Sequence, residues 1–552
     1  MKKAKALLCA TFVLALLAGT VGAAGWADWA DERAEALSAR QIFGLIADNS
    51  GELITREAFC VMLARAALEH AGEALETGAL DAASVFADAG AIAAENAPYV
   101  MYLFEQGILN GAIIQGNRYM LPGDLLTRQD AVAFLGRWLG LDSLENDVGA
   151  RANLFADDSD IAAHARNVAY QIVGMGFLTV YPDGSFRPGG NMSYAEAASI
   201  MLNILGGRTL ATYAGDGHLG NADGAASEAR FALPSGLSLD NDGNLVVFDT
   251  FNAGVRIIDS QTRRTETLLG FLEAIDDYGF IMAGYVDGAR EVAMLGRPTD
   301  GVFAANGDLF IADSVNHAIR MLRGGTVYTF AGGERGFADG SGDAAMFDNP
   351  VAIAIDDAGN IYVADSMNHA IRRITPTGEV STVAGETGRP GHADGSAAEA
   401  LFTEPSGIAI GQSGAIFVAD KGNQVIRKIE NGTVSTIAGM VGPMQMGEYS
   451  RPGGYENGAA ALARFNFPGG LFYREGVLLI ADTGNHVIRA LINGSVMTIV
   501  GNSTPGYADG IPGRAAMNRP SAITMRNSTM FIADTLNNTI RAVEIDIGTL
   551  MP

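Results

Sequence analysis

Three polar residues recur together six times in the C-terminal part of the chain, with the spacing Asp-x-x-Asn-x-x-x-Arg. Each Asp ends a short apolar run, so its carboxylate and the Asn that follows can bind the amide groups of a turn. The Arg lies in the next apolar run, from which its guanidinium can pair with the Asp. Six equal copies suit a structural role better than a single active site. The copies are Asp249/Asn252/Arg256, Asp313/Asn316/Arg320, Asp365/Asn368/Arg372, Asp420/Asn423/Arg427, Asp482/Asn485/Arg489 and Asp534/Asn537/Arg541.

A glycine-rich element, Gly-x-x-Asp/Asn-Gly, precedes every copy and is followed at a fixed offset by a proline. The fixed offset indicates a fixed backbone path, so these loops belong to the repeat. The residue after the first glycine of the element varies from unit to unit. In every unit except the first, this residue can stack on a ligand or hydrogen-bond to it, so these five are candidate binding residues. Packing between neighbouring units is an equally suitable role. These residues are Asn221, Tyr285, Phe337, His392, Tyr455 and Tyr507.

The spacing of the repeat predicts a closed ring of β-sheets. Equivalent Asp residues lie 52 to 64 positions apart, and each interval holds four short apolar runs separated by turn residues. Four antiparallel strands per unit are typical of the blades of a propeller. The sixth unit has no fourth strand after Arg541, whereas a matching segment, 209–215, precedes the first unit. We therefore expect this N-terminal strand to complete the sixth blade and remove a free sheet edge.

The extended form Asp-x-x-Asn-His-x-Ile-Arg stands at 313–320, 365–372 and 482–489, and resembles the NHL repeat. The resemblance covers about 208–546 and implies an all-β six-bladed propeller. It does not imply one function, because propellers of this kind serve as binding platforms, as scaffolds and occasionally as enzymes.

Residues 27–205 have a helical pattern and contain related stretches, such as Phe86-Ala87-Asp88 and Phe155-Ala156-Asp157. The segment Tyr-Pro-Asp-Gly-Ser-Phe-Arg-Pro at 181–188, followed by an amphipathic stretch, resembles the S-layer homology (SLH) motif. Three such motifs typically form one mainly α-helical module that holds exported proteins to polymers of the bacterial cell wall. The resemblance therefore implies a cell-wall-linked polysaccharide as one partner.

The same resemblance implies where the polymer would bind. Thr55 and Thr127 are expected at the N-caps of two helices, with Arg56 and Arg128 beside them. The amides and dipole at a helix N-terminus attract an anion that a guanidinium can then clamp. Asp183 and Gly184 of the third motif are further candidate polymer-binding residues, although Tyr194 stands in that motif where Arg is expected.

Composition sets outer limits on function. The 552 residues carry 37 Lys+Arg and 62 Asp+Glu, a formal charge of −25, which argues against a nucleic-acid partner. Residues 1–24 have the basic start, apolar stretch and small residues of an export signal, with a retained membrane anchor as the alternative. If the leader is removed, we expect no transmembrane helix. The two cysteines lie too far apart for a metal or redox motif, and Cys60 sits in an apolar run as a buried hydrophobe.

No residue pattern points firmly to a metal or to catalysis. His317, His369 and His486 recur at equivalent turns, which suits turn residues better than shared zinc ligands. Calcium is the one cofactor left open, because Asp240-x-Asp242-Gly243-Asn244 echoes part of a calcium loop, although a hairpin turn explains it better. The residues that follow the six prolines are small and uncharged, which disfavours an enzyme at the central mouth: Ser235, Thr299, Val351, Ser406, Gly469 and Ser521.

The sequence thus predicts an exported bacterial cell-surface protein with three segments: a signal peptide (1–24), an SLH module (27–205) and a propeller (208–546). The propeller is expected to bind a protein or a glycan on the face that holds the Asp-containing turns. Two long connections on that face, 271–283 and 440–453, are the first places to look for a partner. A metal-dependent lyase or hydrolase tethered at the envelope is the competing interpretation, and a purely structural envelope spacer is the third.

Overall fold

A computed structural model of the protein describes residues 52–71, 74–75, 81–141, 155–174, 178, 185–205, 209–270, 283–443, 450–510, 515–545 and 547. The expected leader, Asp183 and Gly184, and most of the two long connections lie outside the described residues. Backbone contacts divide the chain into two units, Met1–Leu144 with Phe155–Gly207, and Glu145–Leu154 with Arg208–Pro552.

The first unit is mainly helical, as the sequence predicts. In the described part of the chain, no helix is both long enough and apolar enough to cross a membrane. A short hairpin, β1 (Ala112–Ile114) with β2 (Asn117–Tyr119), interrupts the helices. The helices are α1 (Arg56–Ala71), α2 (Ala82–Val85), α3 (Ala97–Glu105), α4 (Arg128–Leu139), α5 (Ala163–Gly174) and α6 (Tyr194–Leu205).

Three extended segments, one before each of α1, α4 and α6, hydrogen-bond to one another in this unit. Ile54 N–H donates to the Met192 carbonyl, Leu126 N–H to Ile54, and Met192 N–H to Leu126, at 2.9 to 3.0 Å. All three side chains are fully buried. The cyclic bonding brings the three helix starts together around one pseudo-threefold axis.

The second unit is a propeller of six antiparallel sheets, which confirms the predicted fold. Blade 1 holds β4 (Gly236–Leu239), β5 (Leu245–Asp249), β6 (Gly254–Ile258) and β7 (Thr265–Leu269). Blade 2 holds β8 (Gly288–Ala289), β9 (Pro298–Phe303), β10 (Leu309–Asp313), β11 (Ala318–Arg323) and β12 (Thr326–Gly332). Blade 3 holds β13 (Gly340–Ser341), β14 (Pro350–Ile355), β15 (Ile361–Asp365), β16 (Ala370–Ile374) and β17 (Glu379–Ala384).

The remaining blades repeat this pattern. Blade 4 holds β18 (Gly395–Ser396), β19 (Pro405–Ile410), β20 (Ile416–Asp420), β21 (Val425–Glu430) and β22 (Thr433–Ala438). Blade 5 holds β23 (Gly458–Ala459), β24 (Pro468–Arg474), β25 (Val477–Asp482), β26 (Val487–Ile492) and β27 (Ser495–Val500). Blade 6 combines β28 (Pro520–Arg526), β29 (Thr529–Asp534) and β30 (Thr539–Glu544) with the N-terminal strand β3 (Ala211–Ala214).

The ring closes as predicted, because β3 pairs antiparallel with β30. The sequence did not predict the short fifth strand that blades 2 to 5 carry. In blade 2 this strand, β8, pairs with the outer strand β12, so the glycine-rich element runs along the outer edge of its own blade before the chain enters the innermost strand.

The core lies between neighbouring blades rather than within one sheet. Phe310 and Ile319 of blade 2, for example, pack in one buried cluster with Phe347, Ile353 and Val363 of blade 3. Near the axis the innermost strands approach so closely that only glycine fits at some positions. A Cβ added to Gly407 would lie 2.1 Å from the carbonyl oxygen of Gly469.

Candidate functional site

The Asp, Asn and Arg of each repeat form one network inside their blade. In blade 2, Asp313 ends β10 and accepts hydrogen bonds from Asn316 (2.8 Å) and from Arg320 (2.9 Å) through one oxygen. Its other oxygen accepts the Gly296 amide at 2.8 Å. All six aspartates and all six arginines are fully buried, so none of these twelve side chains is available to a ligand on the propeller surface.

The other five blades repeat the network with nearly the same distances. The Asn side chain donates to the Asp carboxylate at 2.7 to 2.9 Å. The Arg side chain donates to the same carboxylate at 2.7 to 3.0 Å. The members are Asp249, Asn252 and Arg256 in blade 1; Asp365, Asn368 and Arg372 in blade 3; Asp420, Asn423 and Arg427 in blade 4; Asp482, Asn485 and Arg489 in blade 5; and Asp534, Asn537 and Arg541 in blade 6.

The six asparagines have different partners from those that the sequence predicts. Each was expected to bind amide groups of its turn, but the structure shows it as a donor that bridges the Asp to a carbonyl of the glycine-rich element. The amide that closes the turn already donates to a backbone carbonyl within it, as Ala253 does to Thr250, which explains the difference. The six donors are Asn252, Asn316, Asn368, Asn423, Asn485 and Asn537, and their acceptors are the carbonyls of Gly220, Gly284, Gly336, Gly391, Gly454 and Gly506.

The six aspartates also depart from the expected turn contacts. Their second oxygen accepts an amide of the segment that enters the innermost strand, as Asp249 does from Ala232 at 2.6 Å and Asp420 from Thr403 at 2.8 Å. These partners lie 17 residues before the Asp. Each carboxylate therefore joins the turn to the start of the innermost strand, which is a structural role rather than a ligand site.

Each Arg also contacts the glycine-rich element, which sequence reasoning missed. Arg320 donates to Asp287 of that element, and Asp287 in turn accepts the Thr329 amide at 2.9 Å on the outer strand. Arg256, Arg372, Arg427 and Arg541 pair in the same way with Asp223, Asp339, Asp394 and Asp509.

Blade 5 is the exception to this second pairing. It has Asn457 in place of the aspartate, and Asn457 bonds to Thr498. Arg489 keeps the bonds to Asp482 and to the backbone carbonyls of Arg464 and Glu456, which the other blades also have, but among the described residues it has no second carboxylate. A constant offset of 32 or 33 residues between this position and the Arg was the available signal in the sequence.

The five candidate residues of the glycine-rich elements lie against their own blade. The Arg320 guanidinium carbon lies 4.8 Å from the ring centre of Tyr285, and the corresponding distance from Arg372 to Phe337 is 4.4 Å. Tyr455 and Tyr507 make the same contact with Arg489 and Arg541. His392 instead bonds through Nε2 to Thr436.

Exposure separates these five side chains into two groups. Tyr285, Phe337 and Tyr507 remain more than a third exposed and can meet a ligand at the outer edge of the face. His392 and Tyr455 are less exposed. Burial, together with the neighbouring Arg427, lowers the pKa of His392 to about 4, so the imidazole is neutral at physiological pH.

The three recurring histidines connect neighbouring blades. Each follows the Asn of its turn with positive φ, and its Nδ1 accepts a backbone amide of the next blade at 3.1 Å. Gln424 does the same in blade 4, through its side-chain oxygen. Burial lowers the pKa of His369 and of His486. Within the described ranges, no cluster of three or more His, Cys, Asp or Glu could hold a metal ion.

The calcium-like segment is a hairpin turn. One oxygen of Asp240 accepts the Asp242 amide at 3.0 Å and the Asn244 amide at 2.8 Å. The other oxygen accepts the Asn244 side chain at 2.8 Å. The turn's own donors thus occupy both oxygens of this carboxylate.

A central cavity of about 270 Å³ runs between the six innermost strands. Hydroxyl groups on its wall join neighbouring blades: Ser406 donates to the Pro468 carbonyl at 2.8 Å, and Ser521 to Ser235 at 2.9 Å. One carboxylate, Asp300, also lines the cavity and accepts the Ile353 amide at 3.1 Å. Burial raises the pKa of Asp300 to about 7, although two backbone amides oppose the shift.

In the helical unit, the predicted cap residues lie at the helix starts. Thr55 accepts the Ala58 amide at 3.2 Å, and Thr127 accepts the Asp130 amide at 3.3 Å. In the third motif, Ser193 and Glu196 bond reciprocally, as in a capping box.

The two predicted arginines differ in their surroundings. Arg128 is buried, and its Nε donates to the Phe186 carbonyl at 2.8 Å while Nη1 lies 3.0 Å from Glu196. Arg56 is more accessible and lies 3.9 Å from Asp130. A third carboxylate, Asp157, accepts the Phe186 amide and so holds this part of the third motif in place.

Fold and site geometry together define a class of protein: a six-bladed propeller with a buried Asp–Asn–Arg network in every blade, in a chain that also holds a helical unit built from three capped motifs. Residues 154–198 match the S-layer homology domain, and residues 347–374 match the NHL repeat. These matches confirm both resemblances expected from the sequence. An S-layer homology domain indicates attachment at the bacterial cell surface.

Curated relatives share parts of the chain. Protein SUPPRESSOR OF QUENCHING 1 of Arabidopsis thaliana is 30% identical, over 39% of this chain and 26% of its own length. NHL repeat-containing protein 2 of Gallus gallus is 27% identical, over 42% of this chain and 43% of its own length. The chain therefore spans less than half the length of either relative. A solved structure, an auxiliary nutrient binding protein from Bacteroides ovatus, is 16% identical with a TM-score of 0.45, over 61% of this chain and 76% of that one.

Proposed function

We propose that the protein is exported to the bacterial cell surface, where the helical unit binds an anionic wall polysaccharide non-covalently and the propeller binds a protein or a glycan. The wall partner rests on the S-layer homology domain together with the geometry around Arg56. The second partner rests on the propeller face, where three aromatic side chains at blade edges stay partly exposed.

The observation that carries the wall-binding part is the unused hydrogen-bonding capacity of Arg56. Its Nε is buried and has no hydrogen-bond partner among the described residues. Its Nη1 lies 3.9 Å from the Asp130 carboxylate, beyond hydrogen-bond distance, and 18% of the side chain is exposed. The exposed part of the guanidinium is therefore open to an anionic group, which would gain a strong, charge-assisted contact there.

The surroundings of Arg56 add to this attraction. The residue begins α1, a helix of 16 residues, so the positive end of the helix dipole lies nearby. The guanidinium stacks 5.2 Å from the ring centre of Phe134, which fixes its plane. Arg128 lacks this capacity because the Phe186 carbonyl and Glu196 already engage it. Arg56 is therefore the expected contact with an acidic substituent of the polymer.

The test compares full-length variants for binding to purified cell-wall sacculi that retain their polymer. Arg56→Gln should weaken binding roughly tenfold or more, because a charge-assisted hydrogen bond contributes about 1.5–3 kcal/mol. Arg65→Gln is the matched control: it removes the same charge from the same helix at a guanidinium that stacks on Tyr99. If the two variants bind equally well, Arg56 does not contact the polymer.

A further inference from the structure

The propeller has a mouth on the face of the Asp-containing turns, where the innermost strands begin. In blades 2 to 6 the innermost strand starts at a proline that pairs with the Asp ending the next strand, as Pro520 does with Asp534. In blade 1 the corresponding Pro234 lies two residues before the strand. We define the mouth ring as the residue before each proline together with the first residue of each turn. Its members are Leu233, Arg297, Asn349, Glu404, Phe467, Arg519, Thr250, Ser314, Ser366, Lys421, Thr483 and Thr535.

The mouth ring is positively charged, although the whole chain has a formal charge of −25. It contains three cationic side chains and one carboxylate. Lys421 lies 3.2 Å from that carboxylate, on Glu404. Arg519 is exposed and makes no ion pair within the described residues. The mouth ring thus attracts anions, whereas the net negative charge of the whole protein repels them.

A pocket of about 380 Å³ lies at this positive part of the mouth, lined by Lys421, Phe467, Gly469, Thr483 and Arg519. The Thr483 hydroxyl already donates to a backbone carbonyl at 2.8 Å. Arg519 is therefore the main group for a polar ligand, and Lys421 can add a second bond because its ammonium has three donors and only one of them reaches Glu404. The Phe467 ring and the aliphatic stems of the cations supply apolar contact. The volume falls within the range of pockets that enclose small molecules.

Neighbouring blades fix the backbone at the two main residues of the pocket. The Phe467 amide donates to the Gln424 side chain at 2.5 Å, and the Arg519 amide donates to His486 at 3.1 Å. Both residues have positive φ, of 50° and 55°, so each side chain leaves the backbone in a defined direction. A pocket built on fixed backbone loses little entropy when a ligand binds.

We propose that this pocket binds a small organic carboxylate with an aromatic or aliphatic body, the carboxylate lying at Arg519 and Lys421 and the body against Phe467. The inference goes beyond the proposed protein or glycan partner, and it rests on the propeller being a binding domain. The outer edges of the face explain why the ligand is small. At the outer edge of five blades, the buried arginine pairs with a second carboxylate, the half-exposed Asp of the glycine-rich element. These half-exposed carboxylates repel an extended polyanion.

The test measures binding of phenylacetate to the full-length protein by ligand-observed NMR, with neutral phenylacetamide and ring-free acetate as comparison probes. Phenylacetate should bind, and the other two should bind at least tenfold more weakly. Arg519→Asn and Phe467→Asn should each weaken phenylacetate binding about tenfold, the factor that corresponds to 1.4 kcal/mol. Both variants should fold, because Asn349 occupies the equivalent position of blade 3 with φ of 58°.

Arg297→Asn is the control variant, since it removes one positive charge from the opposite side of the mouth ring. Equal binding of phenylacetamide and phenylacetate would overturn the inference. So would an Arg297→Asn effect as large as that of Arg519→Asn, or no phenylacetate binding at millimolar concentration. Sacculus binding is measured separately and depends on Arg56, so failure of the pocket and failure of wall attachment are distinguishable.

Discussion

Removing the outer carboxylate of a blade should destabilise the propeller far less than removing the inner one. Asp287→Asn changes a side chain that is 47% exposed, where solvent screens its pairing with Arg320. The buried guanidinium keeps its other carboxylate, Asp313, at 2.9 Å. Blade 5 provides a natural precedent, since Asn457 occupies this position. We expect a loss of about 0.5–1.5 kcal/mol in the free energy of unfolding.

Asp313→Asn removes a fully buried carboxylate that four donors approach. The side-chain amide of Asn at this position has two orientations. In one, its NH₂ group faces Asn316 and Arg320, which are themselves donors. In the other, it faces two backbone amides, which lose their acceptor. The buried Arg320 would keep two backbone carbonyls but only one carboxylate, the half-exposed Asp287. Breaking one side of a buried pair costs about 3–5 kcal/mol, so this variant should lose several times more stability than Asp287→Asn.

The assay is urea unfolding of the full-length protein followed by two signals. The three tryptophans, at positions 26, 29 and 138, all precede the propeller, so tryptophan fluorescence reports on the first unit. Circular dichroism of the β-sheets reports on the propeller. Both variants should shift only the second transition. Equal losses for the two variants, or a larger loss for Asp287→Asn, would contradict a greater contribution from the inner carboxylate and leave Asn457 of blade 5 unexplained.

Three further predictions follow from buried titratable groups. Burial lowers the folded-state pKa of His369 and His486, so their contribution to stability should be complete above pH 6.5 and decline below it. His369→Gln introduces the residue that blade 4 has at this position, Gln424, which does not titrate. This variant should flatten the plot of unfolding midpoint against pH. Asp300 has a folded pKa of about 7 against 3.8 unfolded, so stability is lost as the pH rises from 3.8 through 7. Asp300→Asn should exceed the wild type in stability by on the order of 4 kcal/mol at pH 8 and by less at pH 5 in the same assay. Burial raises the pKa of Cys60 to about 12, so a maleimide should label it only after unfolding, and rapid labelling of the native protein would contradict its burial.

The periodic part of the fold could be predicted from sequence because a fixed polar pattern marks each blade. Asp, Asn and Arg lie within eight residues, so their contact inside one hairpin follows from local geometry. The contact between Arg320 and Asp287 is different, since 33 residues and the outer edge of the sheet separate them. Only the pairing of β8 with β12, which no local pattern indicates, brings the two together.

The partners of the asparagines were predicted wrongly for the same reason. Asn316 lies three residues after Asp313, and their contact is local, but the carbonyl of Gly284 that Asn316 also binds lies 32 residues earlier. A turn considered alone offers only its own amides as partners. The glycine-rich element supplies the carbonyl once it has folded back along its own blade.

Two features of the candidate sites could not be predicted from the repeat pattern: the position of Asp300 in the cavity and the different partners of Arg56 and Arg128. Asp300 was missed because the residue directly after each proline was considered, whereas the cavity is lined by Thr299 and Asp300 alike. Arg56 and Arg128 occupy equivalent positions in their motifs, yet only Arg128 meets Glu196 of the next motif at 3.0 Å. That difference depends on which acidic residue each neighbouring motif supplies.

The most direct test of the account is co-sedimentation of the full-length protein with cell-wall sacculi before and after the attached polymer is stripped. We expect the protein to pellet with intact sacculi and to stay in solution once the polymer is gone, because the acidic polymer supplies the acceptors that Arg56 lacks. Equal pelleting with stripped sacculi, or no pelleting with either, would contradict attachment through the polymer.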